Sequence, residues 1–527
     1  MKKALLFILG AVTWMNCSGQ LNGSLDSTFS GNGFYSYDFG FHDNLNDVTL
    51  QPDQKVICTG VAISQGFSGV HLKVMRLHTD GTPDSTFATN GVFSLLLGVE
   101  TYGYESYVQA DGKIIVAGIT YDTNYVADWL LLRLNNEGIL DQSFGTNGIT
   151  TLDFYGQDDI AQAMTVQADG KILVSGTHKD IGNYYNNPTI VRFTSNGFVD
   201  STFGINGGFS MAGLHIDNEL TSIAVQQDGK IVAGGHYSKL FTGSSDFDVL
   251  VIRLDTAGSL DVSFGLNGVV KTSVNGGIDD SFGLEIDTSG NIYVAGFTTL
   301  PFTLYYDMIL IKYNSNGIPD PAFGTGGIVT FNNANEDVAY DLKIQPDQKI
   351  VVGGSSGLSF LGPRDLALWR YLPNGTPDNT FGTNGFITIT MAPTFQDCNS
   401  LALQADGKIV GAGRLNNGSQ NDVVVARFLN SISTTVNQLD HTAVIRLYPN
   451  PALQNQVVTL LTEKPVQQDA HIEMYTVTGE KLVMNNALIP SGTYGVQFST
   501  PAGISSGIYF ILLHNGNEVT RQALVVE

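Results

Sequence analysis

The sequence predicts an all-β protein: a seven-bladed β-propeller of four-stranded blades, followed by a small C-terminal β-sandwich. Three observations predict this class. The composition is rich in turn-forming and aromatic residues, with 60 Gly and 10% aromatics, and poor in charged residues at 14%. One unit of about 58 residues returns seven times. After residue 430 that repeat stops and a different series of short strands begins.

The N-terminal segment, residues 1–20, is predicted to be a signal peptide. Lys2 and Lys3 precede an apolar run over residues 4–14, which is too short to span a bilayer. A lipoprotein signal using Cys17 is the alternative, although the residues before it are not the small and aliphatic ones expected. No later segment is long and apolar enough to span a membrane, so we expect no transmembrane segment after signal removal.

Residues 21–430 carry the repeats, and three sequence features mark each copy. An aspartate opens a tract of the form Asp-Ser-Thr-Phe, a Gln-x-Asp-Gly-Lys turn lies near mid-repeat, and a basic residue ends an apolar run. The aspartates are Asp26, Asp84, Asp141, Asp200, Asp261, Asp320 and Asp378. The basic residues are Arg76, Arg133, Arg192, Arg253, Lys312, Arg370 and Arg427.

The second repeat shows how each unit divides into strands. Strands are predicted over Gly91–Leu97, Tyr104–Gln109, Lys113–Ile119 and Trp129–Leu134, and Asp-Gly between the second and third is a hairpin signal. A four-stranded sheet cannot bury both faces alone, so neighbouring sheets must stack. A propeller satisfies this requirement. A solenoid is the alternative, but its turns are usually shorter and its end repeats atypical.

The basic residue lies eight positions before the next aspartate, as in Arg76 and Asp84. A fixed spacing between opposite charges at a turn predicts a structural ion pair or an Asx-turn that fixes each connection. The alternative is a ring of carboxylates that coordinates cations such as calcium. No loop has the dense aspartate spacing of an EF-hand, and no cofactor is predicted.

The tract L-D-x-[ST]-F-G-x-[NG]-G, together with Q-x-D-G-K-I, resembles the delta-60 repeat family of bacterial secreted proteins, which is described as a β-propeller. The resemblance covers residues 21–430. The fifth repeat departs from it, with Ser289-Gly290-Asn291 in place of Asp-Gly-Lys. The resemblance implies fold and location but no molecular activity.

Residues 431–440 read as a polar linker, and residues 441–527 as an antiparallel sandwich of short strands. The sandwich contains the tracts Tyr448-Pro449-Asn450-Pro451, Thr478-Gly479-Glu480 and Ser506-Gly507-Ile508-Tyr509-Phe510. These three tracts resemble the type IX secretion system C-terminal sorting domain (type A), which implies an immunoglobulin-like fold. This resemblance implies handling by the type IX machinery and a protein secreted from, or held on the outer surface of, a Gram-negative bacterium. The motif residues are Tyr448, Pro449, Asn450, Pro451, Gly479, Gly507 and Tyr509.

The net charge limits the possible binding partners, and the number of cysteines limits the possible disulfide bonds. A net charge of −23 argues against nucleic acid and against anionic membranes as partners. Cys58 and Cys398 are too few for a disulfide framework. They lie in the first and last repeats, which a ring would bring together, so a single disulfide between them is one alternative to free thiols. We expect a monomer.

Catalytic signals are weak. Two G-x-S-x-G strings occur, over 353–357 and 503–507, but neither precedes the helix that a nucleophile elbow requires. Carboxylate pairs such as Asp158-Asp159 and Asp279-Asp280 recur at equivalent places, which favours a structural role. We therefore predict no catalytic, cofactor-binding or metal-binding residue.

The connections between the third and fourth predicted strands vary most between repeats and are rich in tyrosine. Exposed tyrosines suit contact with a sugar or a protein, although packing of the outer strand explains them equally well. These candidate residues are Tyr121, Tyr125, Tyr184, Tyr185, Tyr237, Tyr305 and Tyr306. The predicted function is non-enzymatic binding of a glycan or surface protein through one loop face. A polysaccharide hydrolase or lyase and a purely structural surface or adhesion component are the alternatives.

Overall fold

The computed structural model divides into two units, residues 1–432 and 433–527. The signal peptide and the linker lie outside the described residues. The described ranges are 22–63, 69–181, 185–211, 218–238, 247–301, 303, 305–333, 336–357, 362–430, 445–462, 466, 470–476, 481–482, 488–490, 492–501, 504–515 and 518–526. Among them no helix has the length and apolarity needed to span a bilayer.

The first unit contains four layers of strands. The innermost are β2 (His42–Leu50), β6 (Glu100–Val108), β10 (Ile160–Val166), β14 (Asn218–Val225), β18 (Asp279–Ile286), β22 (Glu336–Ile344) and β26 (Gln396–Leu403). The second are β3 (Val56–Ile63), β7 (Ile114–Tyr121), β11 (Ile172–His178), β15 (Ile231–Ser238), β19 (Ile292–Thr299), β23 (Ile350–Gly357) and β27 (Ile409–Asn416). The third are β4 (Val70–Leu77), β8 (Ala127–Leu134), β12 (Asn187–Phe193), β16 (Phe247–Leu254), β20 (Tyr306–Tyr313), β24 (Arg364–Tyr371) and β28 (Asn421–Phe428). The outermost are β1 (Phe34–Tyr37), β5 (Val92–Leu95), β9 (Ile149–Leu152), β13 (Gly208–Ser210), β17 (Val269–Thr272), β21 (Ile328–Phe331) and β25 (Phe386–Ile389).

These strands form antiparallel sheets of four, as in β6-β7-β8-β9. In the described part of the chain, β1 to β28 make seven such groups. Each innermost strand contacts the innermost strand of the next group, and β26 contacts β2. The groups therefore close around a common axis instead of extending linearly as a solenoid would. The predicted all-β class and four-stranded propeller sheets are confirmed.

The sequence repeat and the structural sheet are offset by one strand. The first strand predicted for the second repeat becomes β5, which pairs with β4 of the preceding group. The reason lies in the turn before it, where Asp84 N donates to Arg76 O and Arg76 N donates to Gly91 O, folding the chain back along the strand it has left. The last group, β26 to β28, is accordingly completed by β1 from the N-terminal end of the repeats.

The aspartate and the basic residue of each repeat form an ion pair at this turn. Arg76 Nε lies 2.9 Å from Asp84 Oδ2, and the guanidinium covers the Phe87 ring at 4.7 Å. Arg76 Nη1 also donates to Asn136 O of the next group at 2.6 Å, so the pair joins neighbouring sheets. The equivalent pairs are Arg133–Asp141, Arg192–Asp200, Arg253–Asp261, Lys312–Asp320, Arg370–Asp378 and Arg427–Asp26.

The apolar core lies between adjacent sheets. Ile57 and Leu72 of the first group pack with Ile114 and Leu130 of the second in one buried cluster. The phenylalanine three residues after each repeated aspartate closes such a cluster and is fully buried. These residues are Phe29, Phe87, Phe144, Phe203, Phe264, Phe323 and Phe381. The repeated tract thus supplies both the turn and a large core side chain.

Each innermost strand carries a β-bulge, and a glycine of the second strand lies opposite it. In β6 the bulge falls between Gly103 and Glu105. A Cβ on Gly118 would lie 1.9 Å from Tyr102 O, so only glycine allows this approach of the two strands. The equivalent glycines are Gly60, Gly118, Gly176, Gly235, Gly296, Gly354 and Gly413, each opposing a carbonyl oxygen at about the same distance.

We expect Gly118→Ala to lower the free energy of unfolding by about 2 kcal/mol, because the added methyl group forces the bulge of β6 away from β7. The urea midpoint of the purified chain measures the loss. Gly208→Ala is the control, since its Cβ would meet Ile190 O at an ordinary 3.4 Å. Equal losses in the two variants would contradict the assigned role of Gly118.

Cys58 and Cys398 are free and buried, so the disulfide considered from the sequence is not formed. Cys58 packs among the first and last groups, and Cys398 packs in a separate cluster with Leu401 and Phe428. Burial raises the pKa of both thiols. They are therefore apolar core residues in the protonated state.

The C-terminal unit contains two antiparallel sheets. One consists of β29 (Ile445–Tyr448), β30 (Val457–Thr462) and β34 (Gly495–Ser499). The other consists of β31 (Ala470–Thr476), β32 (Lys481–Leu482), β33 (Leu488–Ile489), β35 (Gly507–Asn515) and β36 (Glu518–Val526). A single buried cluster, which includes Val458, Phe498, Met474 and Ile511, lies between them. This is the sandwich arrangement expected from the short alternating strands.

Candidate functional site

A polar cavity of about 540 Å³ lies along the axis of the first unit, and the innermost strands line it. We call it the axial channel. The bulge of each strand turns one additional side chain toward the axis. These seven residues are Asn46, Tyr104, Gln162, Thr221, Phe282, Tyr340 and Asn399. Five residue types occupy these seven positions, with asparagine in both the adjoining first and last groups, so the channel does not follow the sevenfold repeat.

The position after the bulge carries a carboxylate in three groups, at Asp47, Glu105 and Asp341. Each accepts a hydrogen bond from the backbone of the next group. Asp47 Oδ2 accepts from Ser106 N at 2.9 Å, and Glu105 Oε2 accepts from Met164 N at 3.2 Å. Asp341 Oδ2 accepts from the corresponding amide of β26 at 2.8 Å. The carboxylates thus bridge adjacent sheets inside the channel.

Burial raises the pKa of Asp47, although the hydroxyls of Ser106 and Ser400 oppose the shift by donating to its two oxygens at 2.6 and 2.9 Å. Glu105 has fewer donors. Burial and the neighbouring charge of Asp47 raise the pKa of Glu105 to about 8. Glu105 therefore carries its proton at neutral pH.

Lys343 is the one cation among the described residues that line the channel. Its Nζ lies 3.0 Å from Asp341 Oδ1 and 3.3 Å from Glu285 Oε1. Burial alone would lower the pKa of Lys343, but these two carboxylates outweigh it and raise the pKa. Burial raises the pKa of Glu285 as well. The channel thus combines a protonated carboxyl, three further carboxyl groups and an ammonium group.

Aromatic rings occupy part of the same wall. The rings of Phe282 and Tyr340 lie 5.6 Å apart in a tilted arrangement, and Tyr104 lines the channel from the second group. Burial and the charge of Asp397 raise the pKa of Tyr340 to about 12, so its hydroxyl is a proton donor. Ring faces and hydrogen-bonding groups therefore converge on one space.

A second charged cluster lies beside Tyr340 in the last two groups. Arg414 Nε donates to Asp397 Oδ2 at 2.8 Å, and Arg364 pairs with Glu336 and lies 3.9 Å from Asp397 Oδ1. The guanidinium groups of Arg364 and Arg414 lie 5.8 and 5.1 Å, respectively, from the centroid of the Phe395 ring. Because each charge already has a partner, this cluster holds the strands together beside Tyr340.

The tyrosines predicted to form a binding face do not share one environment. Tyr125 and Tyr305 are exposed, at 64% and 56%. Tyr121 and Tyr306 pack edge-to-face against Tyr102 and Phe297. The remaining members differ again: Tyr237 lies beneath Lys271 Nζ at 3.1 Å, Tyr185 is half-buried, and Tyr184 is outside the described residues.

The structure brings most of the sorting-motif residues to the ends of the C-terminal strands. Asn450 Oδ1 accepts from Val525 N at 2.8 Å, which ties the Tyr-Pro-Asn-Pro tract to β36. Tyr509, whose hydroxyl donates to Ser505 O at 2.7 Å, is buried. The other members divide as follows: Tyr448, Asn450, Pro451 and Gly507 are exposed, Pro449 is intermediate, and Gly479 is outside the described residues.

Each carboxylate pair noted in the sequence includes one buried residue that anchors a loop. Asp159 Oδ2 accepts from Phe154 N at 2.9 Å, and Asp279 Oδ2 accepts from Val274 N at 2.7 Å. Burial raises the pKa of Asp159 to about 7. Its carboxylate also lies within 4.8 Å of those of Asp128 and Asp153. Calcium coordination by carboxylates stays the alternative to the structural role that the sequence predicts.

The sequence did not predict the channel residues, because they differ from repeat to repeat, whereas the predicted sites rest on residues that all repeats share. Aligned on the bulge, the position after it reads Asp47, Glu105, Ala163, Ser222, Gly283, Asp341 and Ser400. The sequence feature that indicates the channel is therefore one aligned position. Its residue differs between the repeats, although both neighbouring strands are apolar in each of them.

Glu105→Gln tests the protonated carboxyl in the channel. A carboxyl with a raised folded-state pKa contributes stability below its unfolded pKa, and this contribution is lost as pH rises through its folded value of about 8. The native chain should therefore lose stability between about pH 5 and pH 8, and the variant should lose less. Urea midpoints at several pH values measure the difference. Glu137→Gln, at an exposed position, is the control. If the urea midpoint of Glu105→Gln falls with rising pH as steeply as that of the native chain, the assignment is contradicted.

Comparison with known families identifies both units. The model described as "Domain of unknown function (DUF5122) beta-propeller" matches residues 51–87, 109–144, 167–203, 226–264, 345–381 and 404–431. The unmatched stretch between 264 and 345 contains the fifth repeat, which departs from the consensus at Ser289. The model described as "Secretion system C-terminal sorting domain" matches residues 446–527. No curated protein matches the chain.

Several solved structures are similar at low identity. A polysaccharide lyase, the PL25 ulvan lyase, is 10% identical with a TM-score of 0.43, covering 75% of this chain and 96% of its own. A GH43_12 protein retrieved from a capybara gut metagenome is 11% identical with a TM-score of 0.29, covering 96% and 91%. The mannose phosphorylase MPT-4 of Leishmania mexicana is 8% identical with a TM-score of 0.26, covering 51% and 86%. No activity transfers at this level of similarity.

A C-terminal sorting domain of this kind directs a protein to the type IX secretion machinery. The chain is therefore exported to the cell surface or secreted. The repeats account for the ring of four-stranded sheets, and the sorting domain accounts for the separate sandwich. DUF5122 beta-propeller repeats and a type IX secretion system C-terminal sorting domain are thus both detected in the chain.

Proposed function

We propose that the repeat unit is a non-enzymatic binding domain that takes a neutral glycan into its axial channel. The observation that carries the proposal is the loss of sevenfold sequence symmetry at the bulge positions that line the channel. Repeated residues explain a fold, whereas residues that differ between otherwise equivalent positions suit one asymmetric ligand. The channel is more polar than the mainly apolar pockets that bind most small ligands, which suits a ligand with many hydroxyl groups.

The chemistry of the wall favours a sugar. Tyr104, Phe282 and Tyr340 offer aromatic faces of the kind that cover the apolar C–H surface of a ring. Asn46 and Gln162 add amide groups that both donate and accept hydrogen bonds. Ionised carboxylates are strong acceptors for ligand hydroxyls. These features together suit a ligand with many hydroxyls and exposed C–H faces.

The charge of the channel favours a neutral glycan over an anionic one. Four carboxyl groups line it, Asp47, Glu105, Glu285 and Asp341, and Lys343 is the one cation among its described residues. A sulfated or uronic-acid polymer would meet like charge at close range, which costs binding free energy. The net charge of −23 adds long-range repulsion for such polymers.

Binding of neutral glycans to the purified chain, screened on an array and then measured by calorimetry, tests the proposal. Tyr104→Ala and Gln162→Ala are expected to weaken binding at least tenfold, because both line the channel. Tyr125→Ala and Tyr305→Ala are the matched controls, since both tyrosines are exposed on loops outside it. Thermal unfolding of each variant confirms that the fold is retained.

Each alternative predicts a different outcome. Loss of binding in the two loop variants, with the channel variants unaffected, would place the site on the loop face instead. Failure of every neutral glycan to bind would contradict the proposal and favour a purely structural surface component. Tighter binding of sulfated than of neutral chains would contradict the charge argument specifically.

A polysaccharide hydrolase is the second candidate, and the protonated Glu105 favours it. A carboxyl with a pKa of about 8 can donate a proton at neutral pH, and Asp341, paired with Lys343, supplies a carboxylate in the same channel. Incubation of a bound glycan with the chain would release reducing ends if this candidate is correct. Glu105→Gln would then abolish release while leaving binding intact.

A further inference from the structure

The outer face of the second C-terminal sheet carries two histidines and a glutamate. Along β31, Ala470, Ile472 and Met474 are buried in the sandwich core, so the alternate residues face outward. His471 and Glu473 are two of those outward residues. His514 of β35 is paired directly with His471 across the two strands.

The three side chains converge on one point. The imidazole rings of His471 and His514 stack with centroids 4.4 Å apart and planes 1° apart. Glu473 reaches both rings: its Oε2 lies 3.1 Å from His514 Nε2, and its Oε1 lies 3.7 Å from His471 Nε2. One nitrogen from each ring and the carboxylate oxygens all lie within 4.8 Å of one another.

We propose that His471, Glu473 and His514 form a binding site for a divalent transition-metal ion, with Zn²⁺ as the best fit. Two neutral imidazoles and one carboxylate are a ligand set that Zn²⁺ uses in proteins. Imidazole nitrogen selects Zn²⁺, Cu²⁺ and Ni²⁺ over Ca²⁺ and Mg²⁺, which prefer sites made of oxygen alone. The sorting function of this domain does not require such a site.

The surroundings support binding in two ways. Tyr475 donates its hydroxyl to Glu473 Oε2 at 2.8 Å, which orients the carboxylate as an outer hydrogen bond does in metal sites. His471 remains 49% exposed, so an ion can reach the site from solvent and keep a water ligand. A bound ion would link β31 to β35 and stabilise the folded domain by mass action.

Calorimetric titration of the metal-depleted, purified chain with ZnCl₂ tests the proposal. We expect one equivalent of Zn²⁺ to bind with a micromolar dissociation constant and CaCl₂ to give no signal. His471→Asn and His514→Asn should each weaken Zn²⁺ binding at least thirtyfold. His78→Asn, which removes a histidine of the repeat unit with 44% side-chain exposure, should leave it unchanged.

A second measurement keeps the test independent of folding. Co²⁺ bound by two imidazoles and a carboxylate should give visible ligand-field absorption in the native chain, and this absorption should vanish in Glu473→Gln and in both histidine variants. Circular dichroism verifies that each variant is folded. Absence of Zn²⁺ binding to the native chain, or equal affinity in folded His471→Asn and His514→Asn, would overturn the proposal.

Discussion

Replacing Arg427 with methionine is expected to lower the free energy of unfolding by about 3 kcal/mol, because the buried carboxylate of Asp26 then keeps only the more distant Lys408 Nζ, at 3.6 Å. Arg427 Nε and Nη2 both lie 2.9 Å from Asp26 Oδ2, and Asp26 is only 3% exposed. The same guanidinium donates to Thr28 Oγ1 at 2.9 Å and covers the Phe29 ring at 4.8 Å. The urea midpoint and slope of the purified chain measure the loss.

The fifth repeat supplies a matched control for this variant. Lys312 holds the equivalent aspartate, Asp320, through one contact of 2.9 Å, and Asp320 is 25% exposed. An ion pair that is partly solvated contributes about 1 kcal/mol or less, so Lys312→Met should cost little. Equal losses in Arg427→Met and Lys312→Met would show that burial of the aspartate does not set the energy of the pair.

Arg427 also has a role that the other basic residues lack, because its partner comes from the opposite end of the repeats. Asp26 and β1 precede the first complete group, and β1 pairs with β28 to finish the last one. Loss of the pair should therefore raise amide hydrogen exchange in β1. Arg76→Met removes an equivalent pair within continuous sequence, so it should leave exchange in β1 unchanged.

The ion pairs were predictable because they follow from spacing alone. Each basic residue precedes its aspartate by eight residues, and a turn with this offset returns the chain to the strand it left. The pairing of Arg427 with Asp26 was not visible, since no local spacing connects residues so far apart. It follows only when the sheet and the sequence repeat are known to be offset by one strand.

The channel could not be derived in the same way. A β-bulge inserts one residue and turns all later side chains of the strand to the opposite face. Period-two alternation read from the sequence therefore fails after Gly103, and Glu105 appears to belong to an ordinary strand position. The opposing glycine, Gly118, was the local indication of the bulge, but glycine is too common here to identify it without the structure.

The exposure of the loop tyrosines also depends on information beyond the local sequence. Tyr125 and Tyr306 lie in comparable connections, yet only Tyr125 is free of an aromatic neighbour in the described contacts. Tyr306 packs on Phe297, which the neighbouring strand supplies. Residue type predicted that these loops could bind, whereas packing against other strands decides which rings are available.

Lys343→Met is the second substitution with a large expected effect, about 2 kcal/mol of unfolding free energy near pH 8, because two partly solvated carboxylates lose the cation that they share. The ammonium group lies between Asp341 and Glu285, and its charge also acts on Glu105. Methionine keeps the volume but leaves these carboxylates to repel one another inside the channel. Lowering the pH protonates Glu105 and Glu285, because burial raises the pKa of both, so the loss should be smaller at pH 4.

Lys113→Met is the control for Lys343→Met. It shows how much stability is lost when any half-buried lysine is replaced, without leaving carboxylates unpaired. The side chains of Lys113 and Lys343 are equally accessible, at 33% and 30%, and Lys113 Nζ lies 3.0 Å from Asp141 Oδ2. Asp141 keeps a second cation, Arg133, at 2.9 Å, so no uncompensated charge remains in that variant. Urea midpoints at pH 4, 6 and 8 should therefore diverge for Lys343→Met and stay parallel to the native chain for Lys113→Met. Parallel curves for both would mean that the channel carboxylates are neutralised by solvent and not by Lys343, and the charge argument for a neutral ligand would fail with it.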